Sequence, residues 1–195
     1  MAKRITLFDT MYTPDLTKAL KTCKDDTLHC KMNSVGCIYI ASGCFLVKVT
    51  PGEYNQFIRP VTQRDPGNWV LSKGEVVPGK EPLDGEKLLD NSSYSARHTL
   101  TAAPMLFPKE KKIDTLLGFY SSDMDFVSCY RYVYTTMFKQ DVYYKSVGSN
   151  KPLVVFKDTV PIALVMPVRI QQDSALASAV RAWFEAPSKE EVKHD

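Results

Sequence analysis

A chain of 195 residues with 44% hydrophobic and 24% charged side chains has a globular composition, which excludes a disordered polymer and leaves room for one elaborated domain. Its net charge of +3 tolerates nucleic acid but lacks the basic excess of a bulk DNA binder. No stretch nears the ~18–20 apolar residues of a membrane span; with no export-type apolar run at Met1–Ile5 and an odd count of 5 cysteines, the expectation is a cytoplasmic protein with reduced thiols and no membrane partner.

Ile5–Phe8 reads as a short strand. Thr13-Pro14-Asp15 then opens a helix: Thr can cap, Pro suits the first turn, and Asp favours the positive end of the dipole. The helix sets Leu16, Ala19, Leu20 and Cys23 on one side and Lys18, Lys21 and Lys24 on another. Taken alone, those lysines read as a solvated face. Cys23, Cys30, Cys37 and Cys44 recur every seven residues, whereas zinc knuckles use pairs two to four apart; small buried thiols are expected, with no metal and no cofactor. His29 and Cys30 are neighbours, but adjacent strand residues point apart.

Cys37–Ala41 and Phe45–Thr50 read as a hairpin turning at Ala41-Ser42-Gly43. From Pro51 to Pro108, Pro-Gly pairs punctuate the chain. Short strands are expected at Gln56–Val61 and Trp69–Leu71, and a short helix around Glu86–Asn91. Trp69 is a candidate partner anchor or a residue packing its own loop onto the body. Lys109, Lys111 and Lys112 form a basic rim or a solvated turn.

A second helix is expected over 122–139, because Phe126, Cys129, Tyr130, Val133 and Met137 recur at helical spacing. Arg131, with Tyr132 and Tyr134, lies off that stripe and is a candidate for partner or DNA contact. Three strands follow in Asp141–Ile170: one rich in Val and Tyr before the turn Gly148-Ser149-Asn150, then Leu153–Phe156, then the apolar run Pro161–Ile170. Asp173 or Ser174 caps a last helix whose Leu176, Val180, Trp183 and Phe184 make an apolar face, and Ser188–Asp195 is a charged tail.

Met166-Pro167-Val168-Arg169-Ile170 resembles the Met-Pro-x-Arg-Leu tail that closes bacterial DNA sliding clamps. Gly118-Phe119-Tyr120, the helix over 122–139 and the meander fall in the order of a clamp domain's second half, and Ile5–Thr50 resembles the first. The resemblance implies an α+β fold: one clamp-like domain over 1–172, two helices packed on a mostly antiparallel sheet, with an insertion at about 51–117. Residues 173–195 would be an added helix and tail. It further implies a non-catalytic protein of DNA replication or repair, from a phage or mobile element. Double-stranded DNA would meet Lys18, Lys21, Lys24 and Arg131. A peptide groove would be lined by Val165, Met166, Pro167, Val168 and Arg169, and Trp183 and Phe184 would serve as anchors that fill it from within. A bacterial clamp subunit has three such domains and closes a ring of six, whereas this chain carries one; a homo-oligomer closing a ring would argue for encircling DNA, a monomer for an interaction module.

The alternative is an interaction or inhibitor module that keeps the fold without binding DNA and grips a replication or defence protein. An enzyme has no catalytic motif to stand on: with 3 histidines, its one route is a cleft built from Arg97, His98, Asp123 and Asp125.

Overall fold

The computed structural model describes residues 10–23, 26–108, 115–123 and 125–185, with side chains left out over 104–108. The expected strand at Ile5–Phe8, Lys24, the Lys109–Lys112 rim and the charged tail lie outside the described residues.

Helix α1 (Asp15–Thr22) starts where Thr13 Oγ1 accepts the Asp15 N–H at 3.2 Å, and it buries Leu16, Ala19 and Leu20. Strands β1 (Thr27–Met32), β2 (Ile38–Ala41) and β3 (Phe45–Val49) follow as an antiparallel meander. The β2–β3 turn is fixed by Ser42, whose hydroxyl accepts the N–H groups of Cys44 and Phe45 at 3.1 and 3.2 Å. Next come α2 (Pro51–Glu53), a π-helical stretch (Tyr54–Ile58) and α3 (Arg59–Thr62). Strands β4 (Trp69–Ser72) and β5 (Glu75–Val76) precede α4 (Gly85–Ser95), which Asp84 caps through the Lys87 N–H.

Strands β6 (His98–Pro108), β7 (Thr115–Ser121) and β8 (Val127–Arg131) lead into a single helical turn, α5 (Tyr132–Thr135). Strands β9 (Val142–Ser146), β10 (Leu153–Lys157) and β11 (Val160–Val165) close the meander, and α6 (Ala175–Glu185) ends the described chain.

All these strands join one sheet, ordered β5-β4-β1-β2-β3-β11-β10-β9-β6-β7-β8, in which every pairing is antiparallel. The α+β expectation with a large antiparallel sheet and few helices therefore holds, and the 11 strands exceed those foreseen. Segment 51–117 is woven into that sheet: β4 and β5 extend one end, while β6 and β7 pair between β9 and β8.

Each central strand splits its side chains between two cores, as a period of two requires. Ile38, Ile40, Phe45, Val47, Val49, Leu153 and Val155 face α1, α5 and the π-helical stretch. Tyr39, Ala41, Leu46, Val154, Phe156 and Leu164 face α4 through Leu89. Burial on both faces explains the unbroken apolar runs. A third cluster forms where α6 lays Leu176, Val180, Trp183 and Phe184 over Leu116, Tyr120, Val127 and Cys129.

Three expectations need correction. Residues 122–139 are not one helix: Val127–Arg131 is a strand and only Tyr132–Thr135 is helical. Cys129 and Tyr130 are buried on opposite faces, against α6 and against the main core, so apolar residues sit at every step and mimic helical spacing. Gln56–Val61 is helical, because Thr50 and Glu53 form a reciprocal cap that starts a helix at Pro51. Finally, β11 ends at Val165, and Met166–Ile170 leaves the ladder for a lone bridge between Val168 and Cys129. Pro161, lacking an N–H, coincides with a register shift against Phe156.

Candidate functional site

The segment after β11 is threaded through a slot. The Met166 N–H donates to the Cys44 carbonyl and the Val168 N–H to the Cys129 carbonyl, each at 2.8 Å. Asn150 grips Ile170 from both sides: its Oδ1 accepts the Ile170 N–H at 3.1 Å and its Nδ2 donates to the Ile170 carbonyl at 3.0 Å. Asn150 can do this because it sits at φ 55°, a left-handed turn conformation that Asn tolerates. Gln172 repeats the device on Val127, accepting its N–H at 3.2 Å and donating to its carbonyl at 3.0 Å. Two side-chain amides thus hold the rim as if they were further ladder rungs.

Along the rim, Val165 is buried, Pro167 and Val168 are half-buried, and Met166 and Arg169 are exposed. Val168 and Ile170 belong to the cluster that holds Trp183 and Phe184. Phe184 packs on Tyr120 with ring centroids 5.1 Å apart, and Trp183 meets Phe184 edge-on at 4.8 Å. The apolar side of the rim is therefore covered by α6 of the same chain. Its polar side opens onto a cavity of about 700 Å³ lined by Ser149, Asn150, Lys151, Arg169, Ile170 and Gln171, so two cations look into one space.

Helix α1 and the α5 turn lie side by side on the other layer. Thr13 Oγ1 donates to the Thr136 carbonyl at 2.8 Å, and Cys23 Sγ lies 3.1 Å from Tyr134 Oη, so both ends of α1 touch the α5 turn. Lys18 and Lys21 are exposed along α1, and Lys18 Nζ meets Asp15 Oδ1 at 2.9 Å. That hydrogen bond holds the Asp15 carboxyl below the usual carboxylate range. Arg131 is half-buried and opens α5, near the end at which α1 stops.

Trp69 packs against the main core, and its indole N–H donates to the Asp65 carbonyl at 3.0 Å, within its own loop. His29 stands away from Cys30: Nδ1 accepts the Leu83 N–H at 3.2 Å, and burial, then Lys80, lowers its pKa.

His98 Nδ1 and Asp123 Oδ2 are 2.6 Å apart, and Asp125 brings a carboxylate oxygen within 4.8 Å of both. Hydrogen bonds from Ser121 and then His98 hold Asp123 low. The trio lies on an open surface, and Phe126 stands edge-on to the imidazole at 5.3 Å.

The group that sequence reading missed is polar and lies under the rim. Cys23 Sγ, Cys44 Sγ and an Asp26 oxygen lie within 4.8 Å of one another, joined by Tyr134 and Ser42. Its one trace in the sequence was the seven-residue cysteine spacing. Fold and rim together define a single antiparallel sheet with a self-covered C-terminal edge. No protein-family model, curated protein or solved structure matches the chain.

Proposed function

We propose that this chain is a non-catalytic, clamp-like binding protein of DNA replication or repair, of phage or mobile-element origin, which works as a homo-oligomer on double-stranded DNA. One observation carries the reading: a helical element followed by three antiparallel strands occurs twice, as an eight-residue helix the first time and a single turn the second. The unit α1-β1-β2-β3 and the unit α5-β9-β10-β11 meet where β3 pairs with β11, and the two helical elements touch side by side. The resemblance to sliding clamps implies two helices on a mostly antiparallel sheet; here one helix and one turn take those places, and the helix presents Lys18 and Lys21 on an exposed face.

The test is DNA retention against salt. Contacts to phosphates release counterions, so log affinity should fall linearly with log salt, and Lys18→Ala with Lys21→Ala should reduce the slope by about 2. Sedimentation should give a multiple of the 22.0 kDa chain. A monomer that ignores duplex DNA at ~50 mM salt sinks this reading.

The second reading, an interaction or inhibitor module that grips a replication or defence protein, would show no DNA binding at modest salt and would pull down a single protein partner; the covered rim adds to the first reading a peptide groove that the chain itself occludes. Trp183 and Phe184 share an apolar cluster with Val168 and Ile170, next to the groove that the resemblance assigns to clamp-binding peptides. Removing 173–195 should let a labelled clamp-type peptide bind, with a rise in fluorescence anisotropy that the full chain does not give. Equal anisotropy for both forms ends that idea.

A further inference from the structure

We propose that Cys44 and Cys23 form a peroxide-reactive thiol pair, in which Cys44 is the attacking sulfur and Cys23 the resolving one. Cys23 is fully buried at the end of α1, whereas Cys44 is half-buried in the β2–β3 turn. Cys44 lines a cavity of about 550 Å³ with Asp26, Ser42, His29 and Lys80, so a small hydroperoxide reaches one sulfur and not the other. The sulfurs are within 4.8 Å of each other, and a disulfide requires them to close to about 2.05 Å.

Polar neighbours favour a thiolate at Cys44. A hydrogen bond from Cys23, another from Tyr134 and the charge of Arg131 outweigh the cost of burial and the opposing charge of Asp26, and bring its pKa down to about 6. Cys23 moves up instead, through its bond to Cys44 and its burial. Of the remaining cysteines, Cys30 and Cys129 are buried with pKa values pushed up, to about 11 and about 12, by desolvation.

The chemistry balances. The Cys44 thiolate attacks the distal peroxide oxygen; the O–O bond breaks, an S–O bond forms, and the leaving alkoxide takes a proton from solvent. The Cys23 sulfur then displaces hydroxide from the sulfenic acid, with its own proton passing by way of the Asp26 carboxylate, and water departs. Two thiols and one hydroperoxide become a disulfide, an alcohol and water. The bond ties α1 to the turn whose carbonyl holds Met166.

Iodoacetamide labelling of the wild-type chain is the test, with half-buried Cys37 as internal reference. Cys44, the thiol whose neighbours favour the thiolate, should label faster than Cys37 at pH 6, with an inflection near that pH. One equivalent of hydrogen peroxide should yield a Cys23–Cys44 cross-linked peptide that dithiothreitol reverses, and Cys44→Ser should abolish it. Equal labelling of Cys37 and Cys44, or peroxide oxidation without that cross-link, overturns the proposal. So does stoichiometric zinc in the purified protein that is released only when Cys44 is alkylated, which would make the cluster a cation site.

Discussion

Glu53 is a buried carboxylate, 3% exposed, that ties the start of the chain to the start of α2. Its Oε1 accepts the Met11 N–H at 2.6 Å, and its Oε2 accepts the Thr50 N–H at 2.9 Å and the Thr50 hydroxyl at 3.0 Å. Glu53→Ala orphans two backbone donors, since the hydroxyl can turn elsewhere. Each orphan costs about 1–3 kcal/mol, and because Met11 and Thr50 border solvent the lower half of that range applies, giving roughly 2–4 kcal/mol in total. For a chain of this length that is a fall in Tm of about 5–15 °C. Glu53→Gln keeps one acceptor but turns an NH2 towards one of the donors, so it should lose about half as much. Urea unfolding measures the loss, and amide exchange at Met11 locates it. Both variants within ~0.5 kcal/mol of wild type would show that water already serves these donors.

Other perturbations follow from the same geometry. A Cβ on Gly85 would stand 2.6 Å from Tyr39 Cβ, so Gly85→Ala should destabilise by about 1–3 kcal/mol in urea unfolding despite the better helix former. Asn150→Ala removes both hydrogen bonds to Ile170 and strains the left-handed backbone; exchange at the Ile170 amide should speed up well before global unfolding. Asp15 titrates lower in the folded chain than in the unfolded one. Its contribution is complete above the unfolded value near pH ~4 and is lost as pH falls through the folded one. Asp15→Asn should therefore flatten the acid limb of a urea-midpoint-versus-pH curve between about pH 5 and 2.

Where short runs are bracketed by clear turn or cap signals, the sequence is readable. Ile38–Ala41 and Phe45–Val49 are short, almost wholly buried apolar runs around a serine-fixed turn, and the helix at Ala175–Glu185 announces itself by its cap and apolar stripe. Thr50-Pro51-Gly52-Glu53 also carried a readable helix start, which the surrounding proline and glycine masked. Val127–Arg131 was illegible for a different reason: buried on both faces, it fits two periods equally well. The rim residues were visible as a tail, but the amides that hold them, Asn150 and Gln172, are visible only in three dimensions. The thiol cluster draws on α1, the β2–β3 turn and α5, and no local pattern reports such a meeting.

The seam between the two halves has a consequence for synthesis. The Tyr12 hydroxyl reaches the carbonyls of both Lys48 and Ile162, the latter 150 positions downstream. At ribosomal speeds that partner emerges roughly 8–30 s later. Until then β3 offers an open edge, Phe45-Leu46-Val47-Lys48-Val49, with a lone lysine to discourage strangers. The first half of this protein must wait, unfinished, for its last strand to be born.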